Sequence, residues 1–246
     1  MTLRLLINPI VKGAYFNNIH SVVEAEFTTL YPNVDFTFSQ QGSLHFLDVD
    51  LLQSEGNRLC RLSFVQGVFN ILENNHLAVL DSKAHFELPE GIVWGAKYRG
   101  KTNETVTQLA INVALHYAPQ IPQKPIKILD PMAGRGTTVL WAARYGISAV
   151  GIEKNRESLE HFCRHIKTQC KLHRIKHKYI KGCIGKKQKD GMGTFHEAQW
   201  FKCSSKLIAG DSAKASTYLM KERFHCVVAD LPYGIQFHGR DGQRNP

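Results

Sequence analysis

The run Lys127-Ile128-Leu129-Asp130-Pro131-Met132-Ala133-Gly134-Arg135-Gly136-Thr137-Thr138 constrains this chain more than any other stretch. Ile126 to Leu129 has the apolar character of a short buried strand, and it runs straight into an acid. Two glycines one residue apart then permit a tight loop, because backbone without a Cβ turns sharply and lies close to whatever it meets. Thr137 to Tyr145 reads as a helix, whose first turn presents N–H groups with no partner inside the helix. Two well-known anion loops fail the residue test. A Walker loop needs a Gly-Lys pair, which is missing. A dinucleotide fingerprint needs a third glycine where Val139 stands. An ordinary strand-turn-helix of some other doubly wound sheet stays open on this stretch alone.

Three further strand ends sharpen the pattern. Ala149-Val150-Gly151-Ile152 closes on Glu153, an acid suited to two vicinal ribose hydroxyls. Lys206 to Ala209 reads as a third strand and leads into Gly210-Asp211. Phe224 to Ala229 reads as a fourth buried strand, followed by Asp230-Leu231-Pro232-Tyr233-Gly234. The strand, the glycine loop at Gly134 and Gly136, and the acids Asp130 and Glu153 resemble the cofactor site of class I S-adenosylmethionine (SAM) methyltransferases. The last loop resembles the (Asp/Asn)-Pro-Pro-Tyr motif of methyltransferases acting on exocyclic amines of nucleobases. An aryl amine is a poor nucleophile because its lone pair is delocalised into the ring. Hydrogen-bond acceptors at Asp230 and at a backbone carbonyl near Leu231 would hold both amine hydrogens and localise that lone pair. Pro232 would stiffen the loop, and Tyr233 would offer a stacking face to a flipped base. Leu231 departs from the motif's proline, but a backbone carbonyl is kept by leucine.

Over residues 97 to 240, the joint pattern resembles an RNA methylase family related to THUMP-containing tRNA guanine-N2 methyltransferases and to ribosomal-RNA large-subunit guanine methyltransferases. The resemblance implies an α/β, Rossmann-like class I sheet and SAM as cofactor. Asp130, Gly134 and Gly136 would border SAM, Glu153 would hold its ribose and Asp211 its adenine. Asp230, Leu231, Pro232 and Tyr233 would form the catalytic loop. The expected product is an N2-methylguanine in tRNA or rRNA, with adenine-N6 methylation of DNA or RNA, or a non-catalytic nucleic-acid-binding relative, as alternatives. Pro246 follows Asp230 before three further strands could form, so the sheet is expected to be truncated after its fourth strand.

Residues 1–90 read as a small α+β domain ahead of a methyltransferase domain at 91–246, and would present RNA. Leu3 to Ile7 is a strand, and Asn17 to Leu30 a helix capped by Asn17 or Asn18. Val34, Phe36 and Phe38 pair as a hairpin with Ser43 to Val49 across Gly42, and His76 to Leu80 is another strand. Leu59 to Leu72 mixes helical and strand signals. Thr102 to Tyr117 is a helix capped by Thr102 or Asn103, with Val106, Leu109, Ala110, Val113 and Ala114 on one face.

The formal net charge of +10 is concentrated in Lys171 to Lys189, which holds eight Lys or Arg and no acid. Its glycines make it a loop or hairpin, and its charge points to RNA as a partner, with a merely solvated loop as the other reading. Six cysteines without a C-x-x-C pair indicate a reducing, cytoplasmic setting. Cys163 and Cys170 share a helix face as core residues. Cys170, His173, His177, Cys183 and Cys203 match no standard finger spacing, so no metal is expected.

Overall fold

In the computed structural model of the protein, the structure describes residues 2–83, 85–95, 101–119, 125–186, 190–220 and 222–231. Alternation shapes the first strand, β1 (Thr2–Ile7), which buries Leu3, Leu5 and Ile7 on one side. Arg4 is buried on the other because Nε and Nη2 each donate to a carboxylate oxygen of Asp48 at 2.7 Å. The chain continues through α1 (Val11–Ala14), α2 (Ile19–Leu30), β2 (Phe36–Gln41), β3 (Leu44–Asp50), α3 (Gly56–Leu59), β4 (Val65–Ile71) and β5 (Leu77–Val79). The strands form an antiparallel sheet in the order β2-β3-β1-β4-β5. Gly42, at φ +60°, makes the β2–β3 turn as its position suggested. The ambiguous stretch at Leu59 to Leu72 is both things in succession, the end of α3 and then β4. Asn18 stands at the N-cap of α2, but its side chain makes no capping bond.

Helix α4 (Glu104–Tyr117) starts at Asn103, whose Oδ1 accepts from Thr105 N at 2.9 Å and Val106 N at 3.4 Å. The expected apolar face is not the most buried one. Thr105, Thr107, Gln108, Ile111 and Asn112 are buried instead, because α4 lies between two cores. Val106 and Leu109 pack on the core of the first sheet, and Ala110 and Ala114 on that of the second. The polar side chains between them form a buried network. Gln108 and Asn112 donate to the Arg61 carbonyl at 2.9 and 3.0 Å. Asn112 also donates to Glu26 Oε1 at 2.7 Å and accepts from the Tyr145 hydroxyl at 2.5 Å. Glu26 is 1% exposed, and burial raises its pKa despite the bonds from Ser63 and Asn112.

The second sheet comprises β6 (Lys127–Asp130), β7 (Ser148–Glu153), β8 (Lys178–Cys183), β9 (Thr194–Gln199), β10 (Ser204–Ala209) and β11 (Cys226–Val227). Helices α5 (Thr137–Arg144), α6 (Arg156–Leu172) and α7 (Ala215–Leu219) connect them. The order is β11-β6-β7-β10-β9-β8, with β11, β6, β7 and β10 parallel. Strands β9 and β8 extend the sheet antiparallel. Both faces are covered, as a parallel sheet requires. Ile128, Ala149 and Leu207 meet Val139, Trp141, Phe162 and Ile166 on one side, and Val150, Ile152 and Ile208 meet Tyr218 and Leu219 on the other.

One expectation is met here and one changes. The basic stretch is a hairpin, as its glycines suggested, with strand β8 at its centre paired antiparallel with β9. Lys178 and Lys181 then sit on an edge strand, where charge also discourages pairing with another chain. The fourth strand is shorter and less buried than Phe224 to Ala229. Only Cys226 and Val227 pair with β6, Val228 N adds a bond to Leu129 O at 3.0 Å, and Val227 is 59% exposed. With one neighbour only among the described residues, β11 gains burial on one edge. No helix among the described residues is long and apolar enough to cross a membrane. The six cysteines are free thiols, with Cys163 and Cys170 buried. Among the described residues no group of three or more His, Cys, Asp or Glu could hold a metal ion.

Candidate functional site

Chain order places the site. From β6 the sheet grows stepwise to β7 and β10, and the chain then returns to the far side of β6 for β11. The order therefore switches between β6 and β11, and ligands of open α/β sheets bind outside the carboxyl ends of strands at such a point. Asp130, Glu153, Asp211 and Asp230 lie at or just past the carboxyl ends of β6, β7, β10 and β11. The tertiary structure thus brings the four sequence-predicted acids to one edge, in the spatial order Asp230, Asp130, Glu153, Asp211.

Short bonds tie the loops of this edge together. Ala133 N donates to Ile152 O at 3.0 Å, and Gly134 N to Glu153 Oε2 at 2.8 Å. Gly210 N donates to Glu153 O at 3.0 Å, and Ser212 Oγ to Pro131 O at 2.7 Å. Glu153 Oε1 accepts from Asn155 N at 2.7 Å. Each of its carboxylate oxygens has lone-pair capacity left, since a carboxylate accepts about four bonds. Asp211 Oδ1 accepts from Ala213 N at 3.0 Å and caps a short helical turn.

The two loop glycines have different reasons for being glycine. Gly136, at φ +86°, would put a Cβ 2.8 Å from the Phe162 ring, so close packing of the loop on α6 requires it. Gly134, at φ +53°, would put a Cβ into open space with nothing within 4 Å. That open space lies beside Glu153, where a ligand can reach the loop.

Asp130 is 3% exposed, with Oδ1 accepting from Met132 N at 3.0 Å and the Thr138 hydroxyl also donating to the carboxylate. Burial pushes its pKa up to about 6, opposed by those two bonds and reinforced by repulsion from Glu153 and Asp230. The site thus holds its negative charges at a cost, and a cation among them would relieve it.

Asp230 is exposed, and its Oδ2 accepts from Thr102 Oγ1 at 2.7 Å. Thr102 was a candidate helix cap, but Asn103 does the capping and Thr102 reaches the acid instead. Nothing in the local sequence signals a contact across 128 positions. Leu231 is 64% exposed beside it, while Pro232 and Tyr233 lie outside the described residues.

The basic stretch does not form one patch. Because β8 and β10 are both antiparallel to β9, they run the same way, so Lys186 lies at the acid edge. Gly193 N, closing that β8–β9 turn, donates to Ala209 O at 2.7 Å. Arg174 and Lys176 precede β8 and lie at the opposite end of the sheet, Lys171 ends α6, and Lys181 faces Glu160 at 3.4 Å. Lys187 and Lys189 lie outside the described residues. Compared with protein-family models and with curated proteins, the chain finds no match in either, so its own geometry must carry the reading.

Proposed function

We propose that the protein is a SAM-dependent methyltransferase acting on an exocyclic base amine, with guanine-N2 in structured RNA as the substrate to test first. The observation that carries this reading is the row of four acids across adjacent parallel strand ends, with Gly134 facing open space beside Glu153. Strand order β11-β6-β7-β10, with the glycine loop after its first strand in sequence, supports a class I methyltransferase arrangement. Strands β8 and β9 would then be an added hairpin on its edge.

The residues suit the cofactor on physical grounds. Its ribose hydroxyls would donate to Glu153, its adenine amine to Asp211, and its two cationic groups would lie where Asp130, Glu153 and Asp230 concentrate negative charge. When bound, it supplies a methyl group on an electron-poor sulfonium. Asp230 would accept from the target amine through Oδ1, because Thr102 already occupies Oδ2 and fixes the carboxylate's orientation. The nitrogen lone pair would form the N–C bond as the C–S electrons stay on sulfur, and the nitrogen's surplus proton would leave to water. Direct transfer of this kind relies on positioning and needs no covalent enzyme intermediate.

Calorimetric titration with SAM tests the site, followed by transfer from labelled SAM to total RNA and DNA with nucleoside analysis. Glu153→Ala should weaken SAM by about 1.5–3 kcal/mol, the range for lost charge-assisted hydrogen bonds. Asp230→Ala should abolish transfer while SAM still binds. Failure of the folded protein to bind SAM, or an affinity unchanged from the wild type in Gly134→Val and Glu153→Ala, overturns the reading.

A further inference from the structure

A cavity of about 390 Å³ opens on the helix-covered face of the second sheet. It lies between the first turn of α5, the middle of α6 and the segments flanking residues 96–100, and its size falls in the usual range for small-molecule sites, about 300–1,000 Å³. Lys101, Arg135 and Arg164 line it together with His161 and His165, and among the described residues no carboxylate does. Val93 and Leu140 give it an apolar part. The wall is drawn in closely. A Cβ on Gly95 would fall 2.2 Å from the His165 ring, and one on Gly91 would fall 2.6 Å from Gln169 Oε1. His165 Nε2 is fixed 2.7 Å from Ile92 O, so its ring edge is held against the wall. Gln169 also lines the cavity, and its Oε1 is buried with no hydrogen-bond partner among the described residues.

Position connects this cavity to the acid edge. Arg135 stands between the two loop glycines, and Lys101 adjoins Thr102, which holds Asp230. Lys101 is itself paired with Glu104 at 2.5 Å, so part of its charge is already answered within the wall. The lining of the cavity thus includes one residue of the glycine loop and the chain neighbour of the Asp230 contact.

We infer that this cavity is a phosphate subsite, which holds a phosphodiester of the RNA strand next to the nucleotide whose amine faces Asp230. Arg164 and Arg135 would take the phosphate oxygens, and Val93 and Leu140 would meet the sugar or base. The inference rests on the proposed methyltransferase reading for the strand's direction, and on the cavity alone for the anion. It also says which cations matter, since the described residues lining the cavity come from separate parts of the chain and none of them from 171–186.

Fluorescence anisotropy of a labelled 12-nucleotide single-stranded RNA, measured from 50 to 200 mM salt, tests it. Arg164→Gln removes one phosphate contact from an exposed helix position, so the slope of log affinity against log salt should fall by about 0.7. Arg164→Glu should weaken binding further, and Lys178→Gln, at the opposite end of the sheet, should change neither slope nor affinity. Adenosine monophosphate and inorganic phosphate, titrated as competitors, separate a strand subsite from a free-nucleotide pocket. RNA binding unchanged in both Arg164 variants, a larger loss in Lys178→Gln, or displacement by adenosine monophosphate alone overturns the inference. SAM affinity is measured on the same samples. Its absence sinks the methyltransferase reading, whereas the Arg164 slope decides the anion subsite independently.

Discussion

Replacing Asp130 by Asn separates what the site does for stability from what it does for binding. Asp130 has an ordinary value of 3.8 and is pushed up to about 6 in the fold, chiefly by burial. Folding therefore favours its protonated form. Stability linked to this group is whole below pH 3.8 and is lost as pH rises through about 6. The loss reaches about 0.5 kcal/mol at pH 4 and about 3 kcal/mol at pH 8, taking about 1.4 kcal/mol per tenfold change in proton affinity. Asparagine keeps an acceptor for Met132 N–H and offers its amide to the Thr138 hydroxyl, and it never ionises. Asp130→Asn should therefore match the wild type near pH 4 and exceed it by up to about 3 kcal/mol at pH 8, the linkage set by the raised acid. Urea unfolding of both proteins from pH 4 to 8 measures this, because titrating groups that do not interact with Asp130 cancel in the difference, and Glu153 and Asp230 enter only through their weaker repulsion with it. The same substitution removes a negative charge facing the cationic cofactor, so SAM affinity should fall as stability rises, the usual opposition at binding sites. A stability difference that does not grow with pH, or a variant less stable than the wild type at pH 8, would show that burial does not strain this carboxylate.

Gly136→Ala should cost about 3 kcal/mol, combining a left-handed backbone with a Cβ 2.8 Å from Phe162. Gly134→Ala should cost only about 1 kcal/mol of backbone strain, since its Cβ meets nothing. Thermal melts that show equal losses would contradict the assigned roles. Asn112→Ala takes from the Tyr145 hydroxyl its 2.5 Å acceptor, leaving the Arg61 carbonyl at 3.4 Å as its only acceptor among the described residues, and leaves Glu26 with one donor fewer, so about 2–4 kcal/mol should vanish in urea unfolding. A loss below about 1 kcal/mol would mean the network is not what ties α4 between the two cores.

Local chemistry alone makes several features legible in the amino-acid sequence. The β6–α5 unit follows from an apolar run, an acid and two glycines, because strand burial and left-handed turns are decided within a few residues. Gly42 marks its hairpin, Asn103 its helix start, and Cys163 and Cys170 their shared buried face for the same reason. The acids at Asp130, Glu153, Asp211 and Asp230 could be placed at strand ends one by one. Their order in space could not, since it depends on which strand lies on which side of β6. The hairpin in the basic stretch was legible, but its place at the edge of the sheet, with its cations at opposite ends, follows from the docking of β9 on β10. Helix α4 misled because its face was read as apolar against polar, whereas two cores compete for it and a hydrogen-bonded network makes its polar side the buried one. The Thr102–Asp230 contact and the raised pKa of Asp130 belong to the same class. Each arises from groups far apart in sequence that the fold brings together, and for Asp130 burial away from water then sets the energy.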